Sequence, residues 1–290
     1  MIRIVVLGSG GSLPSVERGT SSVAVKYSGD VYLFDCGEGT QRQMMKFGMS
    51  YAKVKAVFIT HLHADHILGL PGLIETLVLI GRKEPLRIFG PPGTKERLGQ
   101  FIHHNMAQIE DINTGFVYRG EKFTVSFFPT MHYVNSIGYV FEENQTRKFN
   151  KKKADASGIK GRMFSEIEEK GQLEVGKKIV KLDDISTIKN GKKIVYTGDT
   201  MPSERIVKAS EKADILIHDG TFGDELKEEA ELKRHSTVSG AARTARKAKV
   251  KKLVLTHISN RYEDDKVLER EAREIFKESH VARDGTEFFL

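Results

Sequence analysis

Short, mostly apolar runs that end at glycine, aspartate or histidine recur along the chain. The runs cover residues 3–7, 57–59, 123–132, 194–200, 214–218 and 252–257. Apolar runs bounded by turn residues are typical of buried β-strands. We therefore expect a protein rich in β-sheet, in which polar side chains gather where strands end.

The remaining pattern adds a hairpin and several helices. Residues 21–27 and 31–35 alternate around Ser28-Gly29-Asp30, which predicts two antiparallel strands joined by a tight turn. Helical patterns cover residues 69–77, 93–105, 237–247 and 264–279. The second of these carries His103 and His104, which we interpret as helix-surface histidines because no further ligand-type residue is spaced to join them.

Length and composition indicate one domain with one insertion. The chain has 290 residues, 39% of them hydrophobic, and no proline- or serine-rich linker. The lone cysteine, Cys36, excludes an internal disulfide and favours a reducing compartment. No leader and no apolar run of about 20 residues is present, so we expect a cytoplasmic protein with no membrane partner.

The glycine-rich segment 8–14 lacks the Lys-Ser/Thr of a phosphate-binding loop, so we expect no nucleotide cofactor and interpret it as a tight loop beside the active site.

Positive charge is concentrated in the predicted insertion, at about residues 144–193. This segment has 14 basic and 7 acidic residues, an excess equal to the net charge of +7 of the whole chain. Such a segment indicates a surface for a polyanion. A solvated insertion whose lysines confer solubility explains the composition equally well, and the sequence leaves both interpretations open.

The segment Thr60-His61-Leu62-His63-Ala64-Asp65-His66 carries the strongest chemical signal. It joins the strand at residues 57–59 to a helical pattern that starts at Ile67. Three imidazoles and a carboxylate in six residues predict a metal site, and a single ion would leave at least one of the four groups idle. Zinc suits imidazole-rich sites best, although manganese or iron would also suit these ligands. A histidine-rich surface turn is the alternative.

The HxHxDH pattern after a strand resembles the metallo-β-lactamase superfamily. The resemblance implies an α+β fold, in which two packed β-sheets are flanked by helices as an αβ/βα sandwich, with a basic arm inserted and a dinuclear metal site at one sheet edge. It does not fix the reaction, because members of this superfamily include lactonases, thioesterases, phosphodiesterases and nucleases.

Three further segments resemble the ribonuclease Z family, which processes the 3′ ends of tRNA. Residues 35–43 resemble its first motif, Asp-x-Gly-Glu-Gly-Thr-Gln-x-Gln, and His235-Ser236-Thr237 stands where that family has a catalytic histidine. Residues 153–164 resemble its tRNA-clamping arm. Lys160-Gly161-Arg162 occupies the place of the family's usual Gly-Pro element.

The resemblance implies a role for each candidate residue. One metal would be held by His61, His63 and His132, the other by Asp65, His66 and His257, with Asp199 bridging them. The remaining assignments are Asp35 and Asp219 as groups that orient the ligands or catalytic side chains, Asp65 and His235 as catalytic residues, and Lys151, Lys152, Lys153, Lys160 and Arg162 as RNA-binding residues.

The implied activity is that of a zinc-dependent endoribonuclease with two zinc ions per subunit. It would cut precursor tRNA after the discriminator base, leaving a 3′-hydroxyl on the tRNA and a 5′-phosphate on the trailer, and would be a homodimer. Two alternatives remain: a phosphodiesterase or lactonase of the same fold that acts on a small substrate, and a non-catalytic RNA-binding module with structural zinc.

Overall fold

Two seven-stranded β-sheets pack face to face in this computed structural model, which describes residues 1–102 and 105–290. In spatial order, the first sheet contains Glu287–Phe289, Arg3–Gly8, Ser22–Tyr27, Asp30–Phe34, Val54–Phe58, Leu86–Gly90 and Ala107–Asp111. The second contains Ser279–Val281, Leu253–Thr256, Ile215–Asp219, Lys193–Tyr196, Ile137–Glu143, Phe123–Pro129 and Val117–Arg119.

The helices are short and cover the outer faces of the sheets or belong to the insertion. They are Thr40–Lys46, Ala64–Ile67, Gly69–Leu79, Thr94–Gly99, Lys151–Ala156, Met163–Lys170, Leu182–Ile185, Glu204–Ala209, Lys227–Leu232, Val238–Ala248 and Lys266–Ile275, together with 3₁₀ turns at Tyr51–Lys53 and Asp224–Leu226. No helix in the described ranges is both long enough and apolar enough to span a bilayer.

Each sheet contains a block of four parallel strands. In the first sheet the block runs from Asp30–Phe34 to Ala107–Asp111, and in the second from Lys193–Tyr196 to Ser279–Val281. Parallel neighbours bring their carboxyl ends to the same edge of the sheet, where open α/β sheets commonly bind ligands. The polar residues that follow these strands in sequence are therefore brought close together.

Three apolar layers hold this arrangement together. Between the sheets, the ring of Phe58 lies 5.3 Å from that of Phe34, 5.5 Å from that of Phe89 and 5.4 Å from that of Tyr139, measured between centroids. A second layer lies under the helix Gly69–Leu79, and a third under Val238–Ala248 and the helices beside it. The layers follow the order helix, sheet, sheet, helix, so the predicted fold class is confirmed.

The insertion has an apolar cluster of its own. It begins with the strand Thr146–Phe149, ends with Ser186–Lys189, and these two strands pair with each other. Inside it a second hairpin and three short helices surround a cluster formed by Ala154, Ile159, Ile167, Val180, Leu182 and Ile185. The insertion is therefore a folded element rather than a loose loop.

Several predicted boundaries differ from the structure. The helix expected from Ile67 begins at Ala64, and the one expected over 93–105 is Thr94–Gly99, with His103 and His104 outside the described residues. The helix expected over 264–279 is Lys266–Ile275, followed by the short strand Ser279–Val281.

Candidate metal centre

The predicted ligands meet at one edge of the two-sheet sandwich. His61 and His63 follow the strand Val54–Phe58, and Asp65 and His66 lie in the helix Ala64–Ile67. The other three follow strands of the second sheet: His132 after Phe123–Pro129, Asp199 after Lys193–Tyr196, and His257 after Leu253–Thr256. The structure thus brings together all seven residues, which span about two hundred positions of the chain.

One group of ligands consists of His61, His63, His132 and Asp199, whose candidate ligand atoms all lie within 4.8 Å of one another. His61 Nε2 is 3.0 Å from His63 Nδ1, and His132 Nε2 is 3.4 Å from the same atom. Asp199 Oδ2 lies 3.7 Å from His61 Nε2. Three imidazole nitrogens and one carboxylate oxygen form a donor set that suits a zinc ion.

The second group consists of Asp65, His66, His257 and again Asp199. His257 Nε2 lies 3.1 Å from Asp199 Oδ2 and 3.3 Å from Asp65 Oδ2. His66 Nε2 lies 3.4 Å from Asp199 Oδ1 and 3.4 Å from Asp65 Oδ2. Because Asp199 belongs to both groups, its carboxylate is placed to bridge two ions.

Two buried atoms show that these residues fit cations. Neither His66 Nε2 nor Asp199 Oδ1 has a hydrogen-bond partner among the described residues, although both side chains are almost fully buried. A buried polar atom without a partner costs free energy. A cation held between the nitrogen and the oxygen would satisfy both atoms.

The histidines and carboxylates of the cluster shift each other's pKa. Burial raises the pKa of Asp199, but His257 and His66 outweigh burial and hold that pKa well below its usual range. Burial likewise raises the pKa of Asp65, and the same two histidines lower it overall. At His61 burial lowers the pKa, so this imidazole is neutral and able to bind a metal.

Asp35 anchors the cluster from below. Its carboxylate accepts hydrogen bonds from the Thr60 backbone N–H at 2.7 Å, from His66 Nδ1 at 2.8 Å and from the Tyr196 hydroxyl at 2.8 Å. The first bond fixes the start of the histidine loop, and the second directs His66 Nε2 toward Asp199. This is the arrangement by which a carboxylate sets the tautomer and orientation of a metal-binding histidine.

Asp219 holds His235 at the other side of the cluster. Its Oδ2 accepts a hydrogen bond from His235 Nδ1 at 2.7 Å, and its Oδ1 accepts from the Thr221 hydroxyl at 2.7 Å. The His235 ring stacks on that of His257, with centroids 5.0 Å apart. Burial lowers the pKa of His235, but the Asp219 carboxylate outweighs burial and raises the pKa to about 9.

The glycine-rich loop lies against the cluster, where the sequence predicted a tight loop beside the site. The Ser12 backbone N–H donates to Asp65 Oδ2 at 3.0 Å. A Cβ at Gly11 would come within 2.7 Å of the His257 ring, so only glycine fits there.

Sequence reasoning missed four residues that shape the site. The Thr60 hydroxyl and Tyr196 both bind Asp35, and the Thr221 hydroxyl lies 2.9 Å from His257 Nδ1. Arg234 donates from Nη1 to the His132 carbonyl at 3.0 Å. Thr60 and Arg234 each adjoin a predicted site residue in sequence, which is a weak signal. Nothing in the sequence signals Tyr196 or Thr221.

The fold and this cluster define a metal-binding protein of the metallo-β-lactamase fold. The metallo-β-lactamase fold protein YhfI from Bacillus subtilis is similar over the whole length of both chains, with a TM-score of 0.76 at 20% identity. At this identity the similarity shows the fold and nothing beyond it. The short form of human tRNase Z has a TM-score of 0.71 at 26% identity, covering 99% of this chain and 98% of its own.

Curated relatives then identify the family. Ribonuclease Z from Methanosarcina acetivorans is 43% identical over 98% of this chain and 96% of its own length, and ribonuclease Z from Methanothermobacter thermautotrophicus is 39% identical over 98% and 95%. A family model described as "Anti-Pycsar protein Apyc1" matches residues 2–281. The chain belongs to the ribonuclease Z family and to the family that this model describes. The resemblance seen in the sequence is confirmed, whereas the individual residue roles stay predictions.

Replacing Asp35 tests its role in the metal site. In Asp35→Asn the anionic acceptor for His66 Nδ1–H is removed, so we expect zinc affinity to fall by about 10- to 100-fold. Competition with a chromogenic chelator measures this affinity. Tyr196→Phe removes only one hydrogen bond to the same carboxylate and should cause a smaller loss. Equal zinc affinities for Asp35→Asn and the wild type would contradict the role.

Proposed function

We propose that this protein is a zinc-dependent endoribonuclease that removes the 3′ trailer from precursor tRNA. It would cut after the discriminator base and leave a 3′-hydroxyl on the tRNA and a 5′-phosphate on the trailer. The observation that carries this proposal is the pair of ligand groups sharing Asp199, with the His235–Asp219 pair beside them. The curated relatives named ribonuclease Z support the choice of substrate.

The seven ligand residues would hold two zinc ions between them. His61, His63 and His132 would hold one zinc ion, Asp65, His66 and His257 the other, and Asp199 both. Bound zinc would supply Lewis-acid chemistry, making a water nucleophilic at neutral pH and neutralising charge on the phosphate. Asp65 Oδ2 lies between the glycine-rich loop and His257, where it can also accept a hydrogen bond from the attacking water.

His235 is placed to act as the general acid. Its Nδ1 donates a hydrogen bond to Asp219, so Nε2 is the nitrogen that remains for the substrate. The carboxylate stabilises the imidazolium, so a proton would be held at Nε2 until it passes to the departing 3′ oxygen of the tRNA.

The insertion supplies positive charge for RNA. Lys151, Lys152, Lys153, Lys160 and Arg162 are all exposed. They are carried by the helix Lys151–Ala156 and the turn that follows, above the insertion's own apolar cluster. Exposed cations on a folded support can follow a phosphate backbone without reading its sequence.

The insertion joins the sheet at the end opposite the metal cluster. It leaves after the strand Ile137–Glu143 and returns at Lys193–Tyr196, whereas His132 and Asp199 lie at the other ends of these two strands. Seven strand residues span about 20 Å. We therefore propose a homodimer, in which the insertion of one subunit presents tRNA to the metal cluster of the other.

The cysteine content supports a proposal for the compartment. Cys36 is buried and is the sole cysteine. This agrees with a reducing environment, and we propose that the enzyme works in the cytoplasm.

Digestion of a precursor tRNA with mapping of both product ends tests the proposed reaction. We expect one cut after the discriminator base, and no cleavage when zinc is removed by a chelator. Neutralising the five basic residues as Lys151→Gln, Lys152→Gln, Lys153→Gln, Lys160→Gln and Arg162→Gln should weaken tRNA binding. It should also reduce the slope of log affinity against log salt by about 0.7–0.9 for each phosphate that the variant no longer neutralises.

A matched control replaces five exposed lysines outside the insertion, namely Lys53, Lys83, Lys95, Lys208 and Lys277. It should retain the wild-type salt slope. An unchanged slope in the insertion variant would show that this segment does not bind phosphate.

Mixing two impaired variants tests whether the insertion acts on the partner's site. Asp65→Ala damages the metal site, and the fivefold substitution damages the insertion. A mixed dimer pairs one intact insertion with one intact metal site on the opposite subunit, so mixing should restore cleavage. Activity that stays at the level of the separate variants would contradict action between subunits, and a monomer by analytical ultracentrifugation would contradict the dimer.

Removing the His235 imidazole tests the general acid. His235→Ala should lower kcat by about 10²- to 10⁴-fold, while tRNA affinity in a filter-binding assay changes little. A precursor with sulfur in place of the departing 3′ oxygen needs no proton, so the variant should cleave it almost as fast as the wild type. Equal impairment on both precursors would count against this role.

A further inference from the structure

Three large apolar side chains are exposed beside the metal ligand His132. Met131, Tyr133 and Val134 are 46%, 57% and 40% exposed. Scattered exposed apolar residues are normal, but a contiguous patch beside a reactive centre indicates a binding surface.

Tyr133 is held in a fixed orientation. Its hydroxyl donates a hydrogen bond to the Leu232 carbonyl, and the guanidinium carbon of Arg234 lies 5.1 Å from the centre of its ring. Arg234 is fixed in turn, because Nη1 donates to the His132 carbonyl at 3.0 Å and His132 Nδ1 lies 3.2 Å from the Arg234 carbonyl. The aromatic ring and the cation therefore form a preorganised pair.

This pair lines a cleft that shares the ligand His132 with the cluster. The cleft has a volume of about 490 Å³ and is bounded by Pro91, Pro92, Asn135, Tyr133, Arg234 and the ligand His132. The rings of His132 and Tyr133 are 6.1 Å apart. Because His132 belongs to both the cluster and the cleft, a nucleotide next to a phosphodiester at the cluster would come near Tyr133.

We propose that Tyr133 and Arg234 form a nucleotide subsite next to the scissile phosphate. In it the Tyr133 ring stacks on a base of the RNA, and Arg234 donates a hydrogen bond to an adjoining phosphate. Stacking on an aromatic ring accepts every base, as an enzyme acting on many tRNA sequences requires. The guanidinium is a strong donor to phosphate oxygens. The subsite rests on the proposed function, since it needs an RNA substrate.

Substitution of Tyr133 tests the subsite. Tyr133→Ala should lower kcat/KM for precursor tRNA by about 10-fold, mainly through KM, because one base no longer stacks. This reduction should exceed the reduction on the small diester bis(p-nitrophenyl) phosphate, which has no neighbouring base. Tyr133→Phe and Tyr133→Trp keep an aromatic face and should restore most of the RNA activity. Phe289→Ala, at a similarly exposed ring on the edge strand, should match the wild type.

Substrates that lack one base locate the stacked nucleotide. Removing the base at the stacked position should lower wild-type kcat/KM to that of Tyr133→Ala, and should cause no further decrease in the variant. The proposal is overturned if Tyr133→Ala has the wild-type kcat/KM on RNA, or if Tyr133→Phe is impaired as much as Tyr133→Ala. It is also overturned if Tyr133→Ala lowers kcat/KM by the same factor on RNA and on the small diester.

Different experimental results would contradict the subsite and the proposed function. A wild-type protein that leaves precursor tRNA uncut contradicts the proposed function. The comparison between Tyr133→Ala and Tyr133→Phe can still be made on binding of a short single-stranded RNA, measured by fluorescence anisotropy. Equal affinities of the two variants there contradict the subsite alone.

Discussion

One buried carboxylate fixes the distance between the two sheets at the point where the metal ligands must meet. Asp35 extends from the first sheet and accepts hydrogen bonds from Thr60 and His66 on that side and from Tyr196 on the second sheet. A buried ionised group is stable only when hydrogen-bond donors around it offset the loss of water. Because these donors come from both sheets, the same hydrogen bonds that stabilise the charge also align histidines from one sheet with Asp199 from the other.

Much of the fold and the metal cluster could be predicted from sequence. The apolar runs mark the strands, and the ligand-type residues come directly after the strands end. Apolar runs predicted the main strands, and the residues after them, from His61 to His257, carried ligand-type side chains. Parallel packing then requires such residues to share an edge. The resemblance of residues 35–43 and of the histidine loop to known motifs supplied the family, which the relatives confirm.

The remaining features depend on tertiary interactions that no local pattern encodes. The helix at Ala64 begins before its apolar period because Asp65 and His66 face the cluster instead of the core. The hydrogen bond between Thr221 and His257 joins residues 36 positions apart, and only the folded chain brings them together.

The insertion's separate apolar cluster has an evolutionary consequence. The segment from Thr146 to Lys189 folds around its own residues and joins the sheet through two adjacent strand ends, away from the cluster of histidines. Substitutions far apart that share no partners have nearly additive energetic effects. Lineages can therefore lengthen, shorten or recharge this element under selection for substrate affinity, while the hydrolytic centre stays unchanged.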